Sequence, residues 1–204
     1  AGWGDKTLLA AEGMVRSAGE MLPWAIGQGF AQSVEEVCAL AGQTPDAGGV
    51  SVLPALHGLG TPHNNPTASV AVWGRSATTT AAHLARAVLE GVALRMAEIV
   101  DLAVTHHPID PTTALPVDGG LTRSDAFCQI LADLLARPVT RLHQVEATAW
   151  GAARAGAQGV GVEIADSTDF CQRFNPTLTP TEARQRLHQW QAQTLNFSQK
   201  KDKS

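Results

Sequence analysis

The sequence predicts an α/β layer architecture built as a single domain, and three observations carry that expectation. Apolar runs of strand length alternate with helix-length segments along most of the chain, the order that builds a sheet covered by helices. Between Thr78 and His106 apolar residues recur at helical spacing, at Leu84, Val88, Val92 with Ala93, Met96, Ile99 with Val100, and Ala103. That period gives a long helix with a broad apolar face. Near the middle, a short apolar run ends in Val117-Asp118-Gly119-Gly120 and passes straight into Leu121-Thr122-Arg123-Ser124-Asp125, a strand-to-helix junction.

Taken in order, residues 3–12 read as a short strand or hairpin and residues 14–29 as a small-residue helix interrupted by Pro23. Ser33 with Glu36 three residues on marks the N-terminus of a helix over 33–41. Gly, Pro and Asp between 42 and 49 make a surface loop, followed by strands over 50–54 and 69–73. Thr78, Thr79 or Thr80 can cap the long helix. A loop over 107–111 leads to a strand over 114–117, the glycine turn, a helix to Ala136, a strand over 138–142 and a helix from about Glu146. Beyond Gly161 the pattern weakens to one polar helix over 181–193 and a frayed Lys-rich tail. Residues 161–204 are thus expected to be a polar appendage to the same domain.

With 44% hydrophobic and 17% charged residues in 204, the chain can bury one substantial core. A net charge of −4 supplies no basic footprint for nucleic acid or an anionic membrane. Cys38, Cys128 and Cys171 are odd in number and widely spaced, which points to a reduced, cytoplasmic setting over a disulfide or zinc framework. The first residues show no basic n-region with an apolar core, and no apolar stretch is long enough to cross a bilayer, so neither a signal peptide nor a membrane span is expected from these residues. The start at Ala1, without an initiator Met or a leading core element, suggests a piece of a longer protein.

At the junction, Gly119 and Gly120 remove both Cβ atoms where the backbone bends, so a flat or charged ligand can approach the main chain. An ordinary Asp-Gly-Gly turn fits the same residues. Asp118 suits helix capping, or a place near a metal. On the helix that follows, Asp125, Gln129, Asp133 and Arg137 form a polar stripe at i, i+4 spacing, read as a solvated face closed by an Asp133/Arg137 pair. The seven histidines are scattered singly except His106-His107, neighbours that point about 100° apart on a helix, which argues against a metal centre. No P-loop, dinucleotide fingerprint or nucleophile elbow occurs.

Three further segments flank this junction: Gly58-Leu59-Gly60-Thr61-Pro62-His63-Asn64-Asn65-Pro66, His83 to Ala93, and Glu146-Ala147-Thr148-Ala149-Trp150-Gly151-Ala152-Ala153. In this order they resemble the C-terminal half of the FGGY carbohydrate kinases, the family of xylulokinase and glycerol kinase, and the resemblance covers the core over about 12–160. Departures stand at Val70 and Arg75 around Gly74, at Ala68-Ser69, and at Trp150.

The resemblance implies an actin-like, ribonuclease H-like ATPase domain forming the C-terminal half of a two-domain sugar kinase. It implies ATP and Mg²⁺ as cofactors, with Gly119 and Gly120 flanking adenine and Ser124 in the place of a polar residue that contacts base or ribose. Gly60 and Thr61 would lie near the phosphates, and Gly27 or Gly29 would pack beneath the adenosine. The Gly- and Ala-rich helix from Gly151 is expected to be structural, its small residues serving close packing. The catalytic base, the acceptor pocket and the main phosphate loop belong to the upstream half, so no catalytic residue is expected here, and Asp5 is not assigned that role. The expected partners are that upstream half and a sugar or polyol, a pentulose such as xylulose ahead of glycerol, with homo-oligomerisation left open. This chain alone is expected to be inactive. A non-catalytic interaction module that kept the fold is the competing reading, and an unrelated α/β enzyme with its site near Asp118 is another.

Overall fold

The computed structural model describes residues 2–3, 6–7, 11–106, 110, 112–142, 147–162, 164 and 170–201. Asp5, Glu146 and most of the 107–111 loop lie outside them. The elements run β1 (Gly2–Trp3), β2 (Lys6–Thr7), α1 (Met21–Gly27), α2 (Val34–Gly42), β3 (Ser51–Leu53), β4 (Ala71–Trp73), α3 (Ala81–His106), β5 (Leu115–Val117), a 3₁₀ turn (Gly120–Arg123), α4 (Asp125–Leu135), β6 (Val139–Leu142), α5 (Ala147–Gly159), β7 (Phe170–Phe174) and α6 (Pro180–Lys201). β1 pairs with β2 and β3 with β4, both antiparallel. In the third sheet β6 is central, parallel to β5 and antiparallel to β7.

Most helix starts follow from local chemistry. Ser33 Oγ accepts the Glu36 amide at 3.1 Å, and Glu36 returns its carboxylate to the Gln32 amide at 2.6 Å, which satisfies two free donors at the start of α2. Thr80 Oγ1 accepts the His83 amide at the start of α3. α3 is the central strut, with Val88, Leu89, Val92 and Ala93 fully buried. Gly91 lets it lie against β3, because a Cβ there would collide with the Val52 carbonyl oxygen. Gly91→Ala is therefore expected to cost about 1–3 kcal/mol through overpacking, read as a lower midpoint in chemical denaturation with the slope unchanged.

Five expectations need correction. The helix expected over 14–29 is confined to Met21–Gly27, since Pro23 has no amide proton and its ring blocks the preceding turn, so it fits only near the helix start. Upstream, Met14 pairs with Thr61 instead: Thr61 N donates to Met14 O at 3.1 Å and Met14 N to Thr61 Oγ1 at 3.2 Å. The glycine turn does not feed α4 directly, because a 3₁₀ turn intervenes and Ser124 becomes the N-cap, accepting the Phe127 amide at 3.2 Å.

The polar stripe of α4 is a docking face for a loop. Gln129 Nε2 donates to Asp133 Oδ1 and to Asn175 O, both at 2.9 Å, and Asp133 Oδ1 accepts the Thr177 amide at 2.7 Å. Arg137, buried, donates to Asp110 O at 2.8 Å in place of the expected Asp133 pair.

The region after Gly161 adds to the fold. β7 was not expected, and α6 begins with a capping box in which Glu182 N donates to Thr179 Oγ1 while Glu182 Oε2 accepts the Thr179 amide at 2.8 Å. Ala183, Leu187, Trp190 and Thr194 of α6 are buried, and Trp190 Nε1 donates to Val52 O at 3.2 Å.

The fifth correction concerns α5. None of its residues is buried, and a Cβ on Gly151, Gly156 or Gly159 would meet nothing within 4 Å. Gly151, Ala152, Ala153, Ala155 and Gly156 are exposed, so these small residues do not serve close packing among the described residues. Trp150 Nε1 is buried there with no hydrogen-bond partner among those residues. No helix of the described residues is long and apolar enough to cross a membrane.

Candidate functional site

A cavity of about 960 Å³ opens between the start of α1, the exposed side of α2 and the glycine turn. One wall is Gly19, Leu22 and Pro23, a second is Val34, Glu35 and Cys38, and the floor runs from Asp118 through Gly120 to Ser124. Phe127, Leu131 and Met96 close the apolar end. A mostly apolar recess with a few polar groups at its edge suits a flat heterocycle better than a sugar, whose hydroxyls each need a partner.

The turn owes its shape to Gly119, which sits at φ +94° and ψ 176°, a conformation that only glycine adopts readily. Its carbonyl accepts both the amide of Thr122, at 3.1 Å, and the Thr122 hydroxyl, at 2.8 Å. Gly120 lines the cavity, and a Cβ on it would meet no protein atom within 4 Å. The main chain is thus left open to a ligand at this point. Ser124 Oγ accepts the Phe127 amide, which leaves its proton to donate. Asp118 caps a helix, though not the one that follows it in sequence: its Oδ2 accepts the Ala147 amide at 3.2 Å at the start of α5.

Electrostatics at the cavity are mild. The Glu35 carboxyl is held below its ordinary range by a backbone amide and by the Ser33 hydroxyl, so a carboxylate stands at the rim. Burial pushes the Cys128 thiol up to about 11, and it is an inert packing group. Among the described residues no group of three or more His, Cys, Asp or Glu could hold a metal ion, so they offer no self-contained Mg²⁺ site.

Of the six candidate residues, the structure brings Gly120 and Ser124 to the cavity, with Gly119 shaping the turn beneath them. Gly60 and Thr61 do not line it. Gly60 is a close-approach glycine whose Cβ would strike the Met14 carbonyl oxygen, and the Thr61 backbone is engaged by Met14 and by Arg95, whose Nη2 donates to Thr61 O at 2.6 Å. Gly27 is exposed at the end of α1 and also lies outside the lining. The glycine at the cavity wall is Gly19, two residues before α1 begins. Sequence reasoning missed it by looking downstream of Trp24, although Ser17-Ala18-Gly19 upstream carried the same small-residue signal. Glu35, Cys38, Met96 and Arg123 also line the cavity, and no sequence motif marks them.

Comparison with known proteins supplies the family. The description "FGGY family of carbohydrate kinases, C-terminal domain" matches residues 3–159. Glycerol kinase of Alkalilimnicola ehrlichii is 39% identical over 191 residues, covering 92% of this chain and 38% of the relative. Glycerol kinase of Solidesulfovibrio magneticus is 40% identical over 188 residues, covering 89% of this chain and 38% of the relative. The chain therefore spans well under half the length of these relatives. Among solved structures, xylulose kinase from Rhodospirillum rubrum is 28% identical with a TM-score of 0.71, covering 88% of this chain and 38% of that one. Plasmodium falciparum glycerol kinase with ADP has a TM-score of 0.76 at 24% identity over 88% of this chain and 37% of that one, a likeness of fold. With a strand, glycine turn and helix set against an apolar recess in the fold of these kinases, the chain belongs to the FGGY family of carbohydrate kinases, in the part that forms the C-terminal domain.

Proposed function

We propose that this chain is the nucleotide-binding part of an ATP-dependent kinase for a small polyol or sugar, with glycerol ahead of a pentulose such as xylulose. The ordering rests on the curated relatives, which at 36–40% identity are named glycerol kinases. The observation that carries the nucleotide reading is the open main chain at Gly120, on the floor of an apolar cavity beside a hydroxyl donor. Leu22, Pro23 and Leu121 supply apolar surface for the faces of a purine. Ser124 can donate to a ring nitrogen or a ribose oxygen, and Gly19 permits close approach on the far side.

When bound, ATP supplies the phosphoryl group that an acceptor hydroxyl takes up. This chain would hold the nucleoside end and exclude water from it. The acceptor, the base that takes its proton, and the Mg²⁺ contacts would come from a preceding half of the protein, in a cytoplasmic enzyme. The exposed small residues of α5 and the exposed Met14 and Val162 are each apolar surface that such a half could cover.

Calorimetric titration of Mg·ADP into this chain tests the reading. Saturable binding is expected, and Gly120→Val should weaken it at least tenfold, about 1.4 kcal/mol, by filling the space a base edge would occupy. A folded chain that does not bind the nucleotide, or a Gly120→Val variant that binds as well as the parent, would overturn the assignment.

A further inference from the structure

We infer that Arg141 is the positioning residue of the glycine turn, setting the backbone that presents Gly120 and Ser124 without touching the ligand itself. The inference rests on the nucleotide reading for its functional consequence and on the geometry alone for the bracing.

Arg141 lies on β6, paired in register with Val117, the residue just before Asp118. From there its guanidinium reaches three separate elements. Nη1 donates to Thr122 O at 2.9 Å and to Asp125 Oδ1 at 2.8 Å, and Nη2 donates to Gln172 Oε1 on β7 at 2.6 Å. Its central carbon stands 5.6 Å from the Phe174 ring centroid. Arg141 is absent from the cavity lining, so any effect on a ligand is transmitted through the turn.

The two shorter Nη1 contacts fall on either side of Ser124, and a third, to Arg123 O at 3.5 Å, lies between them. Thr122 closes the 3₁₀ turn by bonding Gly119 O through both its amide and its hydroxyl, and Asp125 is the first residue of α4. One group therefore ties the end of the glycine turn to the start of the helix and anchors both to the sheet. Cys128 Sγ also reaches Thr122 O, at 3.3 Å, but a thiol is a weak donor and makes no link to the sheet. A lysine at 141 would keep the charge and lose the planar fork that meets a carbonyl, a carboxylate and an amide at once.

The test uses this chain with Arg141→Lys and Arg141→Gln, and with Arg86→Gln as a control. Arg86 is a comparable bracing arginine that pairs with Glu90 at 2.7 Å and reaches Ala41 O and Thr44 O around the end of α2, and it does not line the cavity. Amide hydrogen exchange without ligand is the first readout. Both Arg141 variants should speed exchange at Thr122, Ser124 and Phe127 by tenfold or more while the interior of α4 stays protected. Unchanged exchange there overturns the inference whatever the chain binds. The second readout is Mg·ADP affinity, expected to fall about tenfold in both Arg141 variants and to be unchanged in Arg86→Gln. If the parent does not bind ADP, the nucleotide reading fails while the exchange data still judge the brace. If Arg86→Gln loses affinity in step with its loss of thermal stability, the Arg141 effect is general destabilisation and positioning is refuted.

Discussion

Glu98→Ala is expected to cost about 3–5 kcal/mol of folding stability, the usual loss when one partner of a buried ion pair is removed. Arg95 is 1% exposed and Glu98 6% exposed, and the two are joined by a salt bridge three residues apart on α3. The Arg95 guanidinium is isolated from water strongly enough that burial pushes its pKa down to about 10, still far above neutrality. Removing the carboxylate would leave that cation charged and unneutralised in the interior.

Glu98 is also the junction of a wider network. His63 Nε2 stands 3.3 Å from Oε1, Gln191 Nε2 donates to Oε1 at 3.0 Å, and Arg95 holds the Thr61 carbonyl with its other nitrogen. His63 is held below its ordinary pKa by burial and by the Arg95 cation, so it is neutral at pH 7 and cannot replace the lost charge compensation. The same carboxylate therefore secures the Gly58–Pro66 loop and the C-terminal helix to the central strut. Urea denaturation of Glu98→Ala beside the double variant Arg95→Met/Glu98→Leu separates charge from packing. The double variant should recover most of the loss, because it removes both desolvated groups. A single variant within about 1 kcal/mol of the parent would mean that the pair is not electrostatically isolated.

This network marks the boundary of what the sequence made legible. Features set within four or five residues could be read directly: the Ser33/Glu36 cap, the Thr80 cap and the period of α3 each depend only on near neighbours. The glycine junction is legible as a place of close approach, and Asp118 as a capping residue, but not which helix it caps. Asp118 caps α5, twenty-nine residues away, and local pattern carries no information about such a partner. β7 escaped because it is an edge strand whose pairing is irregular next to Arg141/Leu142, and a bulge erases the two-residue alternation by which strands are recognised. The cavity wall at Gly19, Cys38 and Met96 comes from three elements that only packing brings together. Gly60 shows the converse, a glycine for which packing alone supplies a reason. Its neighbours resembled a family loop, but its lack of a side chain is already explained by the Met14 carbonyl that lies against it.

Trp190→Ala is expected to cost about 3–5 kcal/mol, as for other fully buried aromatic residues, although it lies in a helix whose sequence reads as a polar appendage. α6 carries few apolar residues, and periodicity alone gives it no claim on the core. Its buried side chains are nonetheless aligned on one face, at Ala183, Leu187, Trp190 and Thr194, so a narrow stripe does what a broad face does on α3. Trp190 is 3% exposed and its indole donates to the Val52 carbonyl on β3, while Gln193 on the next turn accepts from Trp73 Nε1 on β4 at 2.6 Å. α6 thus anchors to the β3/β4 ribbon, which α3 also packs against and which by itself could not remain folded in water. Trp190→Phe keeps most of the apolar contact and loses the hydrogen bond, so its loss should be near 1 kcal/mol above any cavity cost. If thermal unfolding shows Trp190→Ala destabilised by no more than Trp190→Phe, burial of the indole is not what holds α6 in place. The polar contacts of Gln191 and Gln193 would then carry the attachment, and the helix would be the appendage that its composition suggests.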